Sequence, residues 1–320
     1  MSTQMSCVAV PACGSDAPVA KHPEMTCGSD ALAGMNPEVI CGSDALAGTN
    51  PEVICGSDAL VAKMATDRGE GAAPTRTPLV FLHGIGGRAS GWAAIQQACA
   101  AAGHASVAWD MPGYGDSPMI EPCTFDGLAD ALAALMDAQG LQQAVLVGHS
   151  LGGMVALQMW AKHPERVAGL VLAASSPGFG QGSGDFQQGF ISQRLAPLEA
   201  GQSMGDVANA LVPTMVAPGF DGPGLAQAKA CMGSITPAAY KAALSALVQF
   251  EQRSALPTIT VPTLCIAAEH DRNAAPSVVQ RMAEKIPHAQ YLCLPGVGHL
   301  LTFEQPDRFA DALLPFLRSF

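Results

Sequence analysis

Residues 144–157 read Ala144-Val145-Leu146-Val147-Gly148-His149-Ser150-Leu151-Gly152-Gly153-Met154-Val155-Ala156-Leu157. Four apolar residues predict a short buried strand, and Met154 to Trp160 predicts a helix. Between them lies a G-x-S-x-G turn centred on Ser150. Strand, tight turn and helix together give the context of a nucleophile elbow. The glycines have a steric task there: the serine sits on a strained turn, and its neighbours must approach without side chains. The turn lifts the hydroxyl above the sheet and aims the following N–H groups at the same space.

The same alternation extends outward in both directions. Strands are predicted at Pro78–Leu82, Ala105–Trp109, Val167–Ala173, Thr263–Ala268 and Gln290–Leu294. Helices are predicted at Gly91–Ala102, Thr124–Gln139, Pro276–Ile286 and from Thr302 to the C-terminus, with Thr124 as a cap and Gly140 as a stop. Continuously apolar strands alternating with helices imply a parallel sheet covered on both faces. One stretch interrupts the pattern. Gly178 to Leu256 holds no convincing strand, and helices are expected near Gly189–Leu198, Met204–Leu211 and Pro237–Arg253. Inserted between two sheet strands, it should lie over their C-terminal ends, where ligands bind in open α/β sheets.

A serine hydroxyl needs a base within hydrogen-bond reach, and the base needs an orienting acid. Of the eight histidines, His299 follows the last strand in Gly296-Val297-Gly298-His299, at the sheet edge that also carries the elbow. It is the expected base. Asp271, in Glu269-His270-Asp271 after the preceding strand, is the expected acid, with Glu269 as runner-up. The chain order Ser150, Asp271, His299 is the one an elbow of this kind predicts. An oxyanion needs preorganised N–H donors. Leu151 should supply one and Ile85, in His83-Gly84-Ile85-Gly86-Gly87, the other.

Composition bounds the rest. The chain has 320 residues, 49% of them hydrophobic and 13% charged, enough for a large core. Its net charge of −11 argues against nucleic acid or an anionic membrane as main partner; the partner expected of a reactive serine is a small-molecule substrate. The N-terminus shows no secretory signal, which predicts a cytoplasmic protein. The ten cysteines contain no C-x-x-C pair, so free thiols are expected, with no metal and no cofactor. The inserted stretch is poor in charge, which favours an apolar or small neutral acyl group. Its few charged residues include Arg194, Glu199, Asp206, Lys229, Lys241 and Arg253.

The N-terminus repeats itself. Cys-Gly-Ser-Asp-Ala begins at Cys13, Cys27, Cys41 and Cys55, a constant step of 14 residues. A unit this short carries too few apolar residues for a solenoid. The last copy predicts a hairpin: a strand over Glu52–Cys55, a turn at Gly56–Asp58 and a returning strand over Ala59–Ala65. Residues 1–48 are expected to be disordered duplications of its first half.

The His83–Gly87 turn, Asp110-Met111-Pro112-Gly113-Tyr114-Gly115-Asp116-Ser117, the Gly148–Gly153 elbow, Glu269-His270-Asp271-Arg272 and Gly298-His299 together resemble the α/β-hydrolase superfamily. The resemblance runs from about Glu52 to Phe320. Within the superfamily the chain looks like the capped bacterial group of 3-oxoadipate enol-lactonases and carboxylesterases. It implies a mostly parallel, eight-stranded-type sheet flanked by helices, with a core of residues 49–177 and 257–320 and a helical cap over 178–256. It also implies a serine hydrolase acting on an ester, thioester or lactone through an acyl-enzyme, with Ser150 as nucleophile, His299 as base, Asp271 as acid, and Ile85 and Leu151 as oxyanion donors. Ser150 argues against the haloalkane dehalogenases and epoxide hydrolases, which use aspartate at this position. The alternatives are a carbon–carbon bond hydrolase of aromatic meta-cleavage products, which often carries Asn where this chain has His149, and an acyltransferase or other non-hydrolytic member.

Overall fold

The structure is a computed structural model that describes residues 54–55, 76–179 and 184–320. Seven strands form one sheet among the described residues: β1 (Ile54–Cys55), β2 (Leu79–Leu82), β3 (Ser106–Trp109), β4 (Ala144–His149), β5 (Val167–Ala173), β6 (Thr263–Ala268) and β7 (Gln290–Leu294). Their spatial order is β1-β3-β2-β4-β5-β6-β7, and every neighbouring pair is parallel. An eighth strand, as in the eight-stranded-type sheet expected, is not found among the described residues. β1 pairs in parallel with β3, Ile54 opposite Val107. The expected return of a hairpin over 59–65, and the repeats over 1–48, lie outside the described residues.

Parallel strands need crossover helices, and these cover both faces. Side-chain alternation along each strand divides the interior into two cores. Leu146, Leu170 and Leu172 enter one core with α2 (Phe125–Ala138) and α3 (Leu151–Lys162). Val145, Val147 and Val171 enter the other with α1 (Ala93–Ala101) and α10 (Pro306–Leu317). Because both faces are covered, β4 is buried along its whole length, and an unbroken apolar run is the sequence form of such a strand. The boundaries of α2 follow its chemistry: the Thr124 hydroxyl accepts from the Gly127 N–H, and Gly140 takes φ +68° just past the end.

Between β5 and β6 the chain forms α4 (Gly184–Glu199), α5 (Met204–Leu211), α6 (Pro223–Gly233) and α7 (Pro237–Leu247). Three expectations need correction here and at the C-terminus. α6 was not anticipated, because its inward stripe is built partly from the small residues Ala228 and Cys231. α7 ends at Leu247 rather than Arg253, because Gln252 N donates to the Pro177 carbonyl and Glu251 bridges Gly178 in antiparallel fashion. The C-terminal helix is two pieces, α9 (Leu301–Glu304) and α10, broken at Gln305 by the ring of Pro306. The remaining helix, α8 (Pro276–Lys285), connects β6 to β7.

Candidate active site

Ser150 stands between β4 and α3 with φ 52° and ψ −116°, a left-handed conformation that a side chain rarely adopts. It is held there from several sides. Its N–H donates to the Ala173 carbonyl at 2.9 Å, and the Ser175 hydroxyl donates to its carbonyl at 2.8 Å. The glycines around it are required by contact. A Cβ on Gly148 would lie 2.4 Å from the Gly152 carbonyl oxygen, and one on Gly152 would lie 2.1 Å from the Leu82 carbonyl oxygen. The turn is therefore packed so tightly against β2 and its own helix that only hydrogen fits.

His299 Nε2 lies 3.0 Å from Ser150 Oγ, and His299 Nδ1 lies 2.8 Å from Asp271 Oδ2. A carboxylate accepts only, so Nδ1 carries the proton and Nε2 is left to accept from the serine hydroxyl. Asp271 is fully enclosed, and burial alone would raise its pKa. The electrostatic attraction and hydrogen bond of the His299 Nδ1–H, with the N–H groups of Ala274 and Asn273, outweigh burial and hold it below the ordinary carboxylate value. The structure thus brings Ser150, His299 and Asp271 into one hydrogen-bonded line. Glu269 is not part of it: its carboxylate accepts from Gly296 N at 2.7 Å instead.

Ile85 and Ser150 line the same cavity, and Leu151 opens α3 directly after the serine. Both flanks of the Ile85 turn are anchored. Tyr114 Oη donates to the Ile85 carbonyl at 2.9 Å, which orients that peptide. Asp110 accepts from Arg88 at 3.1 Å and from Ala89 N at 2.7 Å. His83 Nδ1 donates to the Gly84 carbonyl at 2.8 Å, and its Nε2 accepts from Met111 N. Burial lowers the His83 pKa to about 4, so the ring is neutral, as these two bonds require.

Three residues that sequence reasoning gave no part in the site hold His299. His149 Nε2 donates to the His299 carbonyl at 2.8 Å; burial and the neighbouring His299 lower its pKa to about 3. Met215, in the helical insertion, accepts from His299 N at 2.7 Å. Glu304 is buried, and its carboxylate accepts from Gly298 N at 3.0 Å and from Ala217 N at 2.8 Å. A Cβ on Gly298 would meet Ala217 N at 2.5 Å, so the histidine loop and the insertion touch backbone to backbone. The spacing His299…Glu304 carried no signal of this, because the partner strip 215–217 is distant in sequence.

A cavity of about 610 Å³ opens over Ser150 and His299. Its walls come from the sheet edge, from α4 and α7 of the insertion, and from α8. A second space of about 50 Å³ adjoins it beside Gly84–Gly87 and shares Ile85, Ser150, Arg194, Met215 and His299 with it. Among the described residues, no group of three or more His, Cys, Asp or Glu side chains is placed to hold a metal ion. No helix among them is long and apolar enough to cross a membrane.

A family model described as the alpha/beta hydrolase fold matches residues 77–306. The chain belongs to the α/β-hydrolase fold family. Its relatives include hydrolases and esterases. It is 30% identical over 287 residues to the dihydrolipoyllysine-residue acetyltransferase component of an acetoin cleaving system from Pseudomonas putida, covering 81% of this chain and 73% of that one. It is 28% identical over 218 residues to a pimeloyl-[acyl-carrier protein] methyl ester esterase from Neisseria meningitidis, covering 66% of this chain and 82% of that one. A thermophilic esterase from Thermogutta terrifontis superposes with a TM-score of 0.70 at 26% identity, over 77% of this chain and 90% of that one. In this α/β-hydrolase, the elbow, the histidine loop and the Ile85 turn all sit at the C-terminal edge of one sheet.

Proposed function

We propose that this α/β-hydrolase cleaves a carboxylic ester, thioester or lactone through an acyl-enzyme on Ser150. The observation that carries the reading is the hydrogen-bonded line from Ser150 Oγ through His299 to Asp271 at 3.0 and 2.8 Å. Ser150 Oγ attacks the acyl carbon as its proton passes to His299 Nε2, and the imidazolium is stabilised by the Asp271 carboxylate. The carbonyl oxygen becomes an oxyanion and takes hydrogen bonds from the N–H groups of Ile85 and Leu151. Collapse expels the alcohol, thiol or lactone hydroxyl, which takes the proton from His299. Water then gives a proton to His299 as it attacks the acyl-serine, and the acyl–Oγ bond breaks as His299 returns that proton to Ser150 Oγ and the acid leaves. Helices α4–α7 act as a cap that selects what reaches the serine.

The test is fluorophosphonate labelling with the modified residue mapped, together with hydrolysis of p-nitrophenyl acyl esters. Ser150 is expected to be the labelled residue. Ser150→Ala and His299→Ala are each expected to lower kcat by about 10⁴-fold or more, while circular dichroism stays that of the native chain. Substantial ester turnover by Ser150→Ala would overturn the mechanism. A second reading is favoured by the acetyltransferase name of the Pseudomonas relative: an acyl-enzyme can be released to a thiol or alcohol as well as to water. An acyl-transfer product forming in preference to free acid when such acceptors are added would select it.

A further inference from the structure

The chain carries 27 acidic side chains against 16 Lys and Arg, yet the main cavity is lined by five cations. They are Arg194, Arg253, Arg272, Arg281 and Lys285. No Asp or Glu of the described residues lines it. On a surface this acidic, a cavity with charge of one sign only is a departure that needs a cause, because like charges gathered around a low-dielectric opening repel one another. The cations come from separate elements: Arg194 from α4, Arg253 from the segment after α7, Arg272 from the loop after β6, and Arg281 and Lys285 from one face of α8, four residues apart.

The neighbouring acids are engaged elsewhere. Asp271 is taken by His299 and two backbone N–H groups. Glu269 accepts from Gly296 N, and Glu284, on α8 itself, accepts from Gln280. Arg253 pairs with Glu251. Arg272, Arg281 and Lys285 have no carboxylate within ion-pair distance among the described residues, and all three are exposed. The rest of the lining is largely apolar and includes Phe186, Phe190, Leu244, Leu247, Val278 and Met282. Arg194 stands over the Phe190 ring, its Cζ 5.0 Å from the centroid, and lines both spaces that meet at Ser150.

We infer that the substrate carries a carboxylate or phosphate at the end of an apolar chain, and that Arg272, Arg281 and Lys285 receive this anion at the mouth while the ester or thioester lies over Ser150. The inference rests on the hydrolase reading above and sharpens its substrate class. It replaces the small neutral acyl group that the low charge of the insertion suggests, because three of the five cations come from the sheet domain and not from the insertion.

Two matched substrate pairs test it and separate the two sources of charge. p-Nitrophenyl hexanoate against the p-nitrophenyl hemiester of adipic acid places the charge on the acyl end. S-Hexanoyl pantetheine against S-hexanoyl phosphopantetheine places it on the leaving group. In at least one pair the charged member is expected to show kcat/KM about tenfold higher at low ionic strength, with the preference falling as salt is raised. In the double variant Arg281→Glu/Lys285→Glu that ratio is expected to drop about tenfold, chiefly through KM. Arg318→Glu, past the end of α10, is expected to keep the wild-type ratio. Ratios near one in both pairs, or a ratio the double variant leaves unmoved, would overturn the anion site. If no substrate turns over and fluorophosphonate leaves Ser150 unlabelled, the hydrolase reading has failed instead. Calorimetric binding of adipate and phosphopantetheine then decides the anion site, since equal affinity in wild type and double variant overturns it and a loss in the double variant sustains it.

Discussion

An added Cβ at Gly152 would stand 2.1 Å from the Leu82 carbonyl oxygen, while at Gly189, in α4, nothing lies within 4 Å. The two glycines represent two regions built on different terms. At the sheet edge, backbone meets backbone, and the serine's position is over-determined by β2, β5 and its own helix. In the insertion, helices are held by side-chain packing, and much of α4 faces solvent. A site assembled this way keeps its reacting groups rigid while the wall that selects substrate can vary.

The largest effect should come from making one substitution in both places. Gly152→Ala is expected to cost more than about 4 kcal/mol or to abolish soluble expression, because no rotamer relieves a clash with backbone. Gly189→Ala is expected to stabilise by about 0.5–1 kcal/mol, since alanine loses less entropy in a helix. Urea denaturation of both variants checks this. Similar costs at the two positions would break the contrast.

Next in size is the response to acid, and it too belongs to the sheet edge. His83 and His149 are held neutral by burial, with pKa values near 4 and 3 against 6.5 when unfolded. Below pH 6.5 the unfolded chain takes up protons that the folded chain refuses. Stability is therefore lost as the pH falls from 6.5 toward 4, by about 1.4 kcal/mol per pH unit for each histidine. Asp271 acts in the same direction at lower pH. Its folded pKa is depressed, so its stabilisation is present above the unfolded value of 3.8 and is lost below it. Denaturant midpoints measured from pH 7 to pH 4.5 test the slope, and a flat profile would contradict the buried neutral rings.

How far the sequence could be read divides along the same line. Strands β2, β4, β5 and β6 were legible as apolar or small-residue runs buried along nearly their whole length, and the edge strand β7 as a shorter, half-buried one, while Ser150, His299 and Asp271 each follow the end of a strand. Ile85 was legible only as a position in a turn; the Tyr114 and Asp110 bonds that orient it are long-range. In the insertion, α5 was expected over Met204–Leu211 and lies there, closed by a Ser203–Asp206 capping box, but α6 was not expected, and the limits of α7 depended on a bridge to Gly178. Gly224 shows why. A Cβ there would lie 1.8 Å from the Phe303 carbonyl oxygen, a contact between α6 and α9 that no local pattern encodes. Glu304 was missed for the same reason.

Glu304 joins the two regions, and its effect should be intermediate. Glu304→Ala strands the Gly298 and Ala217 N–H groups, at a cost of about 2 kcal/mol. It is expected to lower kcat more than it raises KM and to slow fluorophosphonate labelling, because the loop carrying His299 loosens. Glu304→Gln keeps the volume and one acceptor oxygen, and is expected to restore most of both. A loss of stability with kcat and labelling unchanged would make Glu304 a packing residue only.

The smallest expected effect lies at the outer wall. Phe186 is 56% exposed, yet it lines the cavity and stacks near Phe179, with ring centroids 5.9 Å apart. An exposed aromatic buries little on folding, so Phe186→Ala is expected to change stability by less than about 0.5 kcal/mol. Substrate would bury that ring again. KM for a long-chain ester is therefore expected to rise by the equivalent of about 1 kcal/mol, with kcat nearly constant. Short-chain esters, which leave the outer wall empty, should not respond. If both chain lengths respond equally, Phe186 acts through the packing of α4, and the insertion is less separable from the sheet edge than the glycine pair implies.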